Sequence, residues 1–324
     1  MKKITLALLV SMAMLAIIAV PSQSFGAELD RAALLKLADD YFAALVAHNP
    51  KAVPLANNIK IVENIKRIQP GEGVWKTASS VPTTFKIVVP DTFSQQVAGI
   101  VILGIDGKPA QFGFRLKVEN DRITEAEHMI VDISNPDNPM LQAHRPGIPL
   151  EVPYEYRDSR GRLVWIAKSY YDALDWNNGS LSPFASDCER RENGMRTAPF
   201  GGPSLGGAGI PGAKPLPPSL LGMQDCAAQL NTGTFQYIDT IENRRVLVAD
   251  ELTGLAVGFS HFHHSMNQKK FKIVNTPGRE ESDMSNQQPF DMPALHLYKI
   301  WGGQIHEIEA LGIMADYNSP TGWE

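Results

Sequence analysis

From Leu29 to Ala47 the apolar residues Leu34, Leu35, Leu37, Ala38, Tyr41, Phe42, Leu45 and Val46 recur at helical spacing, and His48-Asn49-Pro50 ends the run. This predicts an opening amphipathic helix. Apolar stretches of strand character follow at Phe85 to Val89, Val97 to Ile105, Ala110 to Val118 and Ile123 to Asp132. Turn sequences such as Ile105-Asp106-Gly107-Lys108 and Glu119-Asn120-Asp121 separate them in the manner of antiparallel hairpins. A second helix is expected over Trp165 to Leu174, followed by strands at Asn243 to Val248, Leu255 to Phe262, Ala294 to Trp301 and Ile305 to Ile313. Helix first and strands after, twice over, argues for the α+β class, with a curved antiparallel sheet packed on helices in each half.

The two halves are related. Ala38-Asp39-Asp40-Tyr41-Phe42-Ala43-Ala44-Leu45 reads against Ala167-Lys168-Ser169-Tyr170-Tyr171-Asp172-Ala173-Leu174, and Val62-Glu63-Asn64 against Arg191-Glu192-Asn193, both at an offset of 129 (167 − 38 and 192 − 63). Near the domain ends, Leu116-Lys117-Val118 through Glu127 reads against Tyr298-Lys299-Ile300 through Glu309 at an offset of 182 (298 − 116), so the second copy carries 53 extra residues (182 − 129). A period this long marks two small domains, each with its own core, rather than solenoid repeats. The expected boundaries are 27–133 for the first domain, 134–160 for a polar, proline-rich linker and 161–324 for the second domain, with a Gly/Pro-rich insertion at 198–223.

Met1-Lys2-Lys3, the apolar run Ile4 to Val20 and the small pair Gly26-Ala27 read as a signal peptide over 1–26, and hence as a periplasmic or secreted protein with no membrane association after cleavage. A net charge of −5 lacks the basic balance of nucleic-acid binding. Cys188 and Cys226, the only two cysteines, flank the insertion and are expected to form one disulfide in an oxidising compartment. The insertion's glycines do not make a phosphate loop, because Pro203, Pro211, Pro215, Pro217 and Pro218 prevent a following helix and no Gly-Lys-Ser/Thr is present.

Candidate chemistry concentrates in the second copy. His261-Phe262-His263-His264 follows the apolar run Leu255 to Phe259, and alternation places His261 and His263 on the face of Leu255, Val257 and Phe259, where two imidazoles could enter a pocket. A solvent-facing or carbonyl-satisfied histidine pair is the plainer alternative. No metal ligation is expected, since no His-x-x-x-His or cysteine pair completes a site. Glu192 and Asn193 repeat Glu63 and Asn64, which suits a shared turn role. Only the second copy surrounds them with Arg190, Arg191 and Arg196, which could hold a carboxylate as a base, bind an anionic substrate oxygen, or form a structural ion pair. Tyr170 repeats Tyr41 and is expected in the core, whereas Tyr171 and Asp172 differ from Phe42 and Ala43 and are the better functional candidates. Glu307 and Glu309, like Glu125 and Glu127, share a strand face expected to be solvated. In the first copy the matching region offers mainly Tyr41, Glu63 and His128.

A helix bearing Tyr-Phe or Tyr-Tyr, a Glu-Asn segment and a hairpin sheet ending in Glu-x-Glu resembles the NTF2-like superfamily, which includes ketosteroid isomerases, SnoaL-type cyclases and scytalone dehydratases. Arg191-Glu192-Asn193-Gly194, Cys226, Phe235-Gln236-Tyr237-Ile238, Arg244-Arg245, Asp250-Glu251 and Tyr317 to Trp323 are similar to an exported subgroup of it. The resemblance implies two tandem cone-shaped domains with a deep pocket and cofactor-free proton chemistry on a small aromatic or apolar molecule. It extends in kind to γ-formaldehyde lyases of lignin-derived aromatic dimers. On that reading His261 or His263 is the base, Arg191 or Arg196 stabilises the oxyanion and Tyr171 donates a proton, with Glu192, Asn193, Asp172 and Tyr170 as substrate contacts. The competing expectations are a periplasmic binding protein for a hydrophobic ligand and an assembly role, such as a homo-oligomer joined through the open sheet face.

Overall fold

The computed structural model describes residues 28–198, 225–276 and 278–324. The leader 1–26 and all but the first residue of the 198–223 insertion lie outside them. Helix α1 (Arg31–Val46) begins where the Asp30 side chain accepts the Ala33 N–H, and it buries Leu34, Leu37, Ala38, Tyr41, Phe42 and Leu45. After it come β1 (Leu55–Glu63), β2 (Lys66–Ile68), the short α2 (Val74–Thr77), β3 (Ala78–Ser80), β4 (Lys86–Asp91), β5 (Gln96–Ile105), β6 (Lys108–Glu119) and β7 (Arg122–Asp132). The one-turn α3 (Pro139–Gln142) lies in the linker, and the second copy opens with α4 (Arg160–Asp175). It continues with β8 (Phe184–Glu192), β9 (Met195–Ala198), α5 (Cys226–Leu230), β10 (Thr240–Asp250), β11 (Leu255–His264), β12 (Lys270–Lys272), β13 (Glu281–Asp283), β14 (Phe290–Trp301), β15 (Gln304–Gly312) and β16 (Ala315–Asp316).

The main sheets run β2-β1-β7-β6-β5 and β9-β8-β15-β14-β11-β10, with β3 and β4 both on β5. The α+β class and the tandem cone-like layout are therefore as expected, each sheet curling around its own long helix. The sheets are mixed rather than wholly antiparallel, because β1 pairs with β7, and β8 with β15, in parallel. These partners are distant in sequence, so no hairpin turn forces them to run in opposite directions. Strands β1 and β8 were not foreseen; Phe184–Glu192 reads FASDCERRE and is too polar for an apolar alternation to show.

Matching registers fix the equivalences between copies. Gly99 faces Phe114 and Gly258 faces His296, so β5 maps to β11 at 159 (258 − 99) and β6 to β14 at 182 (296 − 114). The 53 extra residues are thus two insertions: 30 before β11 (159 − 129) and 23 between β11 and β14 (182 − 159), the latter containing the β12–β13 hairpin.

Each copy has its own core. That of the first gathers Leu34, Tyr41, Phe42, Phe112, Phe114 and Leu116; that of the second gathers Ile166, Tyr170, Tyr171, Phe262, Tyr298 and Ile308. A third core joins the copies sheet to sheet, with Ile87, Val89, Ala98 and Ile100 against Val257, Phe259, Leu295 and Leu297. At its centre a Cβ on Gly113 would come within 2.9 Å of Leu295 Cδ1 and 3.0 Å of Leu311 Cδ1, so the glycine makes room for two leucines. Of the paired glutamates, Glu127 and Glu309 are buried rather than solvated, while Glu125 and Glu307 are partly exposed. Glu127 is held by Arg115 at 3.2 Å, Arg245 at 2.6 Å and the Trp323 indole N–H at 3.1 Å. Arg145 of the linker reaches Glu307 at 2.9 Å and Glu309 at 3.2 Å. Burial alone would raise the Glu127 carboxyl, yet Arg245 and Arg115 hold it below the usual range, whereas burial of Glu309 prevails over Arg145 and Arg191 and pushes it up to about 7.

Candidate functional site

Strand β11 alternates as expected, but its two faces serve purposes other than those inferred from their polarity. Leu255, Val257 and Phe259 pack against the first copy. His261 and His263, on the same face, consequently lie on the domain-junction side and not in the cone. The intervening Ala256 and Phe262 belong to the second copy's core, and His264 follows them into the cone.

The cone of the second copy holds a cavity of about 90 Å³ whose walls include Tyr170, Glu192, Tyr237, His264 and His296. Arg190 lies beside it, fully buried, with Nε on Glu192 Oε1 at 2.9 Å and on Thr197 Oγ1 at 2.9 Å. Its Nη2 donates to Gln229 Oε1, and its guanidinium carbon sits 5.4 Å above the Phe235 ring. Its Nη1 is buried without a well-formed hydrogen bond among the described residues. Burial, with the Arg190 charge adding to it, lowers His296 to about 3, and burial lowers His264 to about 4, so both imidazoles are neutral at pH 7. Burial raises Tyr171 to about 12 and pushes Tyr170 up as well, so both remain phenols.

Among the described residues, Arg190 Nη1, Tyr171 Oη, Ser260 Oγ, His264 Nδ1, His296 Nδ1 and Tyr298 Oη are buried without a well-formed hydrogen bond, although Tyr171 approaches Tyr298 and Ser260, Arg190 approaches Tyr170, and His264 approaches the Phe290 backbone. The equivalent positions of the first copy are Ile61, Phe42, Val101, Ile105, Phe114 and Leu116, at offsets of 129, 159 or 182 (190 − 61, 171 − 42, 260 − 101, 264 − 105, 296 − 114, 298 − 116). Six apolar interior positions in one copy are polar in the other. Ala294 and Ala310 line the second cavity where the first copy has Phe112 and His128 (294 − 112 and 310 − 128 both give 182). There His128 accepts or donates at 2.9 Å to the Tyr41 hydroxyl and at 3.2 Å to Glu63, while Phe42 packs edge-on against Phe112 and Phe114. The first cone is filled, whereas the second keeps a cavity in which polar groups stand among largely apolar walls.

The remaining sequence candidates divide between several places. Glu192 and Asn193 line the cavity. Asn193 adopts φ 48° and exchanges hydrogen bonds of 3.0 Å with the backbone of Gly312, as Asn64 at φ 43° does with Ile130, so the asparagines share a turn role in both copies. Tyr170 and Tyr171 are both buried, their rings packed on His296. Asp172 is exposed and pairs with Arg244 at 2.6 Å on the surface, away from the cone. Arg191 and Arg196 both turn to Glu189, at 2.7 and 3.5 Å, and Arg191 lines a separate groove of about 650 Å³ beneath the linker. One step along β8 exchanges faces, which makes Arg190 the inward arginine. Arg190 was one of three arginines that the sequence offered here, whereas His264 and His296, which line the cone, were not among its candidates. Aligning β6 with β14 residue by residue would have shown His296 standing in for Phe114.

Cys188 and Cys226 form the expected disulfide, joining β8 to α5, and both are fully buried. No described helix is long and apolar enough to cross a membrane.

No functionally curated protein matches the chain. Among solved structures, the chain is similar to an NTF2-like protein of unknown function from Cytophaga hutchinsonii, with 16% identity over 30% of this chain and 88% of that one and a TM-score of 0.25. It is likewise similar to an NTF2-like protein from Burkholderia thailandensis, with 13% identity over 47% of this chain and 90% of that one and a TM-score of 0.27. A family model described as a domain of unknown function (DUF8021) matches residues 156–312, the stretch from the end of the linker through β15 that contains the open cone.

Proposed function

We propose that the cone of the second copy binds a small aromatic or otherwise apolar molecule bearing a carbonyl or phenolic oxygen, and transfers a proton on it in an elimination or isomerisation. The polar groups that the second cone has gained carry this reading, above all His296 Nδ1, which is buried with no hydrogen-bond partner among the described residues and is costly unless something completes its bonding. In the reaction, Arg190 Nη1 receives the substrate oxygen and stabilises negative charge as it develops there. Glu192, on the cavity wall with its side chain 33% exposed, removes the proton. Glu192 then gives the same proton back, to another substrate carbon in an isomerisation or to the departing oxygen in an elimination, while Tyr170, held as a phenol, hydrogen-bonds the substrate. The 2.9 Å ion pair that already engages Glu192 favours a second reading, in which the cone holds its ligand without transforming it.

The finer version, loss of a carbinol carbon as formaldehyde from an aromatic dimer to leave a stilbene, rests on the resemblance in sequence. A cavity of about 90 Å³ is smaller than the ~150 Å³ that accommodates benzene, so a single ring enters only if side chains of the wall move outward, and a two-ring substrate would extend beyond the cone. A leader-like start and a buried disulfide support export of the mature chain.

Incubating the oxidised protein with one-ring and two-ring phenols and aromatic diols, followed by mass spectrometry and a formaldehyde assay, tests these readings. Turnover lost in Glu192→Gln supports the enzyme. Saturable binding without turnover supports the binding protein, and neither binding nor turnover across the panel removes both.

A further inference from the structure

On the opposite face of β11 from the cone, His261, His263 and Asp291 bring their donor atoms together. The two histidines are two residues apart on one strand and so share a face, and Asp291 of β14 stands directly opposite His263 in the sheet register. Their rings lie nearly parallel, 15° apart with centroids at 4.8 Å. Each directs one nitrogen at a different oxygen of the same carboxylate: His261 Nε2 is 3.1 Å from Oδ2 and His263 Nδ1 is 2.9 Å from Oδ1. All three donor atoms fall within 4.8 Å of one another. Asp291 is fully buried and has no lysine or arginine partner among the described residues; its other contacts are the Ser319 N–H at 3.0 Å and hydroxyl at 3.4 Å.

The first copy has Ile102, Gly104 and Pro109 at the matching positions (261 − 159, 263 − 159 and 291 − 182), so the fold does not require this cluster. Directly beside it a cavity of about 30 Å³ is lined by Asn243, Arg245, Ser260, His261 and Thr321, enough room for a solvent molecule.

From this convergence we infer that His261, His263 and Asp291 form a binding site for a divalent first-row transition cation at the junction of the two copies. Two imidazoles and one carboxylate make a borderline donor set suited to zinc, cobalt, iron or nickel, and too poor in oxygen for calcium or magnesium. The cation supplies the positive charge that the buried carboxylate lacks, and solvent in the adjacent cavity completes its coordination. The Ser319 N–H donates to Asp291 Oδ2 at 3.0 Å and fixes the carboxylate in place. The sequence reading expected no metal because it sought the third ligand nearby, whereas the sheet delivers it from 28 residues beyond His263.

The test uses the untagged chain with its disulfide formed, stripped by chelator and titrated with Zn²⁺ and with Co²⁺, the latter followed by its visible absorption. One equivalent should bind saturably, with Mg²⁺ and Ca²⁺ failing to compete. His263→Ala, at a partly exposed position, and Asp291→Asn, which keeps the side-chain size, should each weaken binding by more than the ~10-fold typical of losing a second-layer contact. Circular dichroism establishes that each variant is folded. Absence of stoichiometric binding in the wild type, or unchanged binding in folded His263→Ala, would overturn the assignment.

Discussion

Arg190 is a fully buried cation whose Nε is shared by Glu192 and Thr197, whose Nη2 donates to Gln229 and whose Nη1 has no well-formed hydrogen bond among the described residues. Lysine at this position would keep the charge but not the planar fork that spans these partners. Arg190→Lys should cost about 1–3 kcal/mol in urea unfolding, as freed partners lose their bonds, and should weaken ligand binding at least ~10-fold in titration. His264 tests the pH dependence. Its folded pKa of about 4 lies below the ordinary 6.5, so the unfolded chain takes up the proton first as pH falls. The neutral, buried ring therefore favours the folded state fully above pH 6.5, and that contribution drains away between 6.5 and 4. Its size across the window is about 3 kcal/mol. His264→Phe keeps the flat contact with Phe290, whose ring centroid is 4.1 Å away, and removes the titration. Unfolding at pH 7, 5 and 4 should show the variant losing less stability on acidification than the wild type. At this scale the sequence was only half legible: alternation separated His261 and His263 from His264 correctly, yet which face met the other domain depended on a contact no local pattern encodes.

At the scale of elements, β4, β5 and β11 were legible from runs of Val, Ile, Leu and Phe buried on both faces, and β6, β7 and β14 from apolar residues spaced between polar ones. Strand β8 was not, since its arginines and glutamates are paid for by specific partners, namely Thr197, Gln229 and the linker's Arg145. The same hidden strand displaced the inferred site by one residue, from Arg190 to Arg191. The copies differ most where β14 and β15 line the cone, and that difference can be reversed by design. Ala294→Phe with Ala310→His reproduces the first copy's Phe112 and His128. The double variant should abolish ligand binding by calorimetry. Its stability should change by about 1–3 kcal/mol or less, the usual range for added core volume, because the cavity takes up much of the added bulk.

At the scale of the whole molecule, the face through which curved sheets of this kind could associate is already consumed within one chain. Light scattering should therefore find one chain per particle, and a dimer would show that another surface joins the copies. The repeat itself was plain in the sequence from the 129 offset, but the pairing of the sheets was not, because it turns on complementary shapes far apart in the chain. Gly113 and Leu295 are equivalent positions (295 − 113 gives 182), and they meet at the centre of the junction. Two first copies set face to face would bring glycine against glycine and leave a void; two second copies would drive leucine into leucine. Only the unlike pair fits. The junction thereby discriminates against self-pairing of either half, so that the two copies of one chain close on each other rather than on their counterparts in another chain.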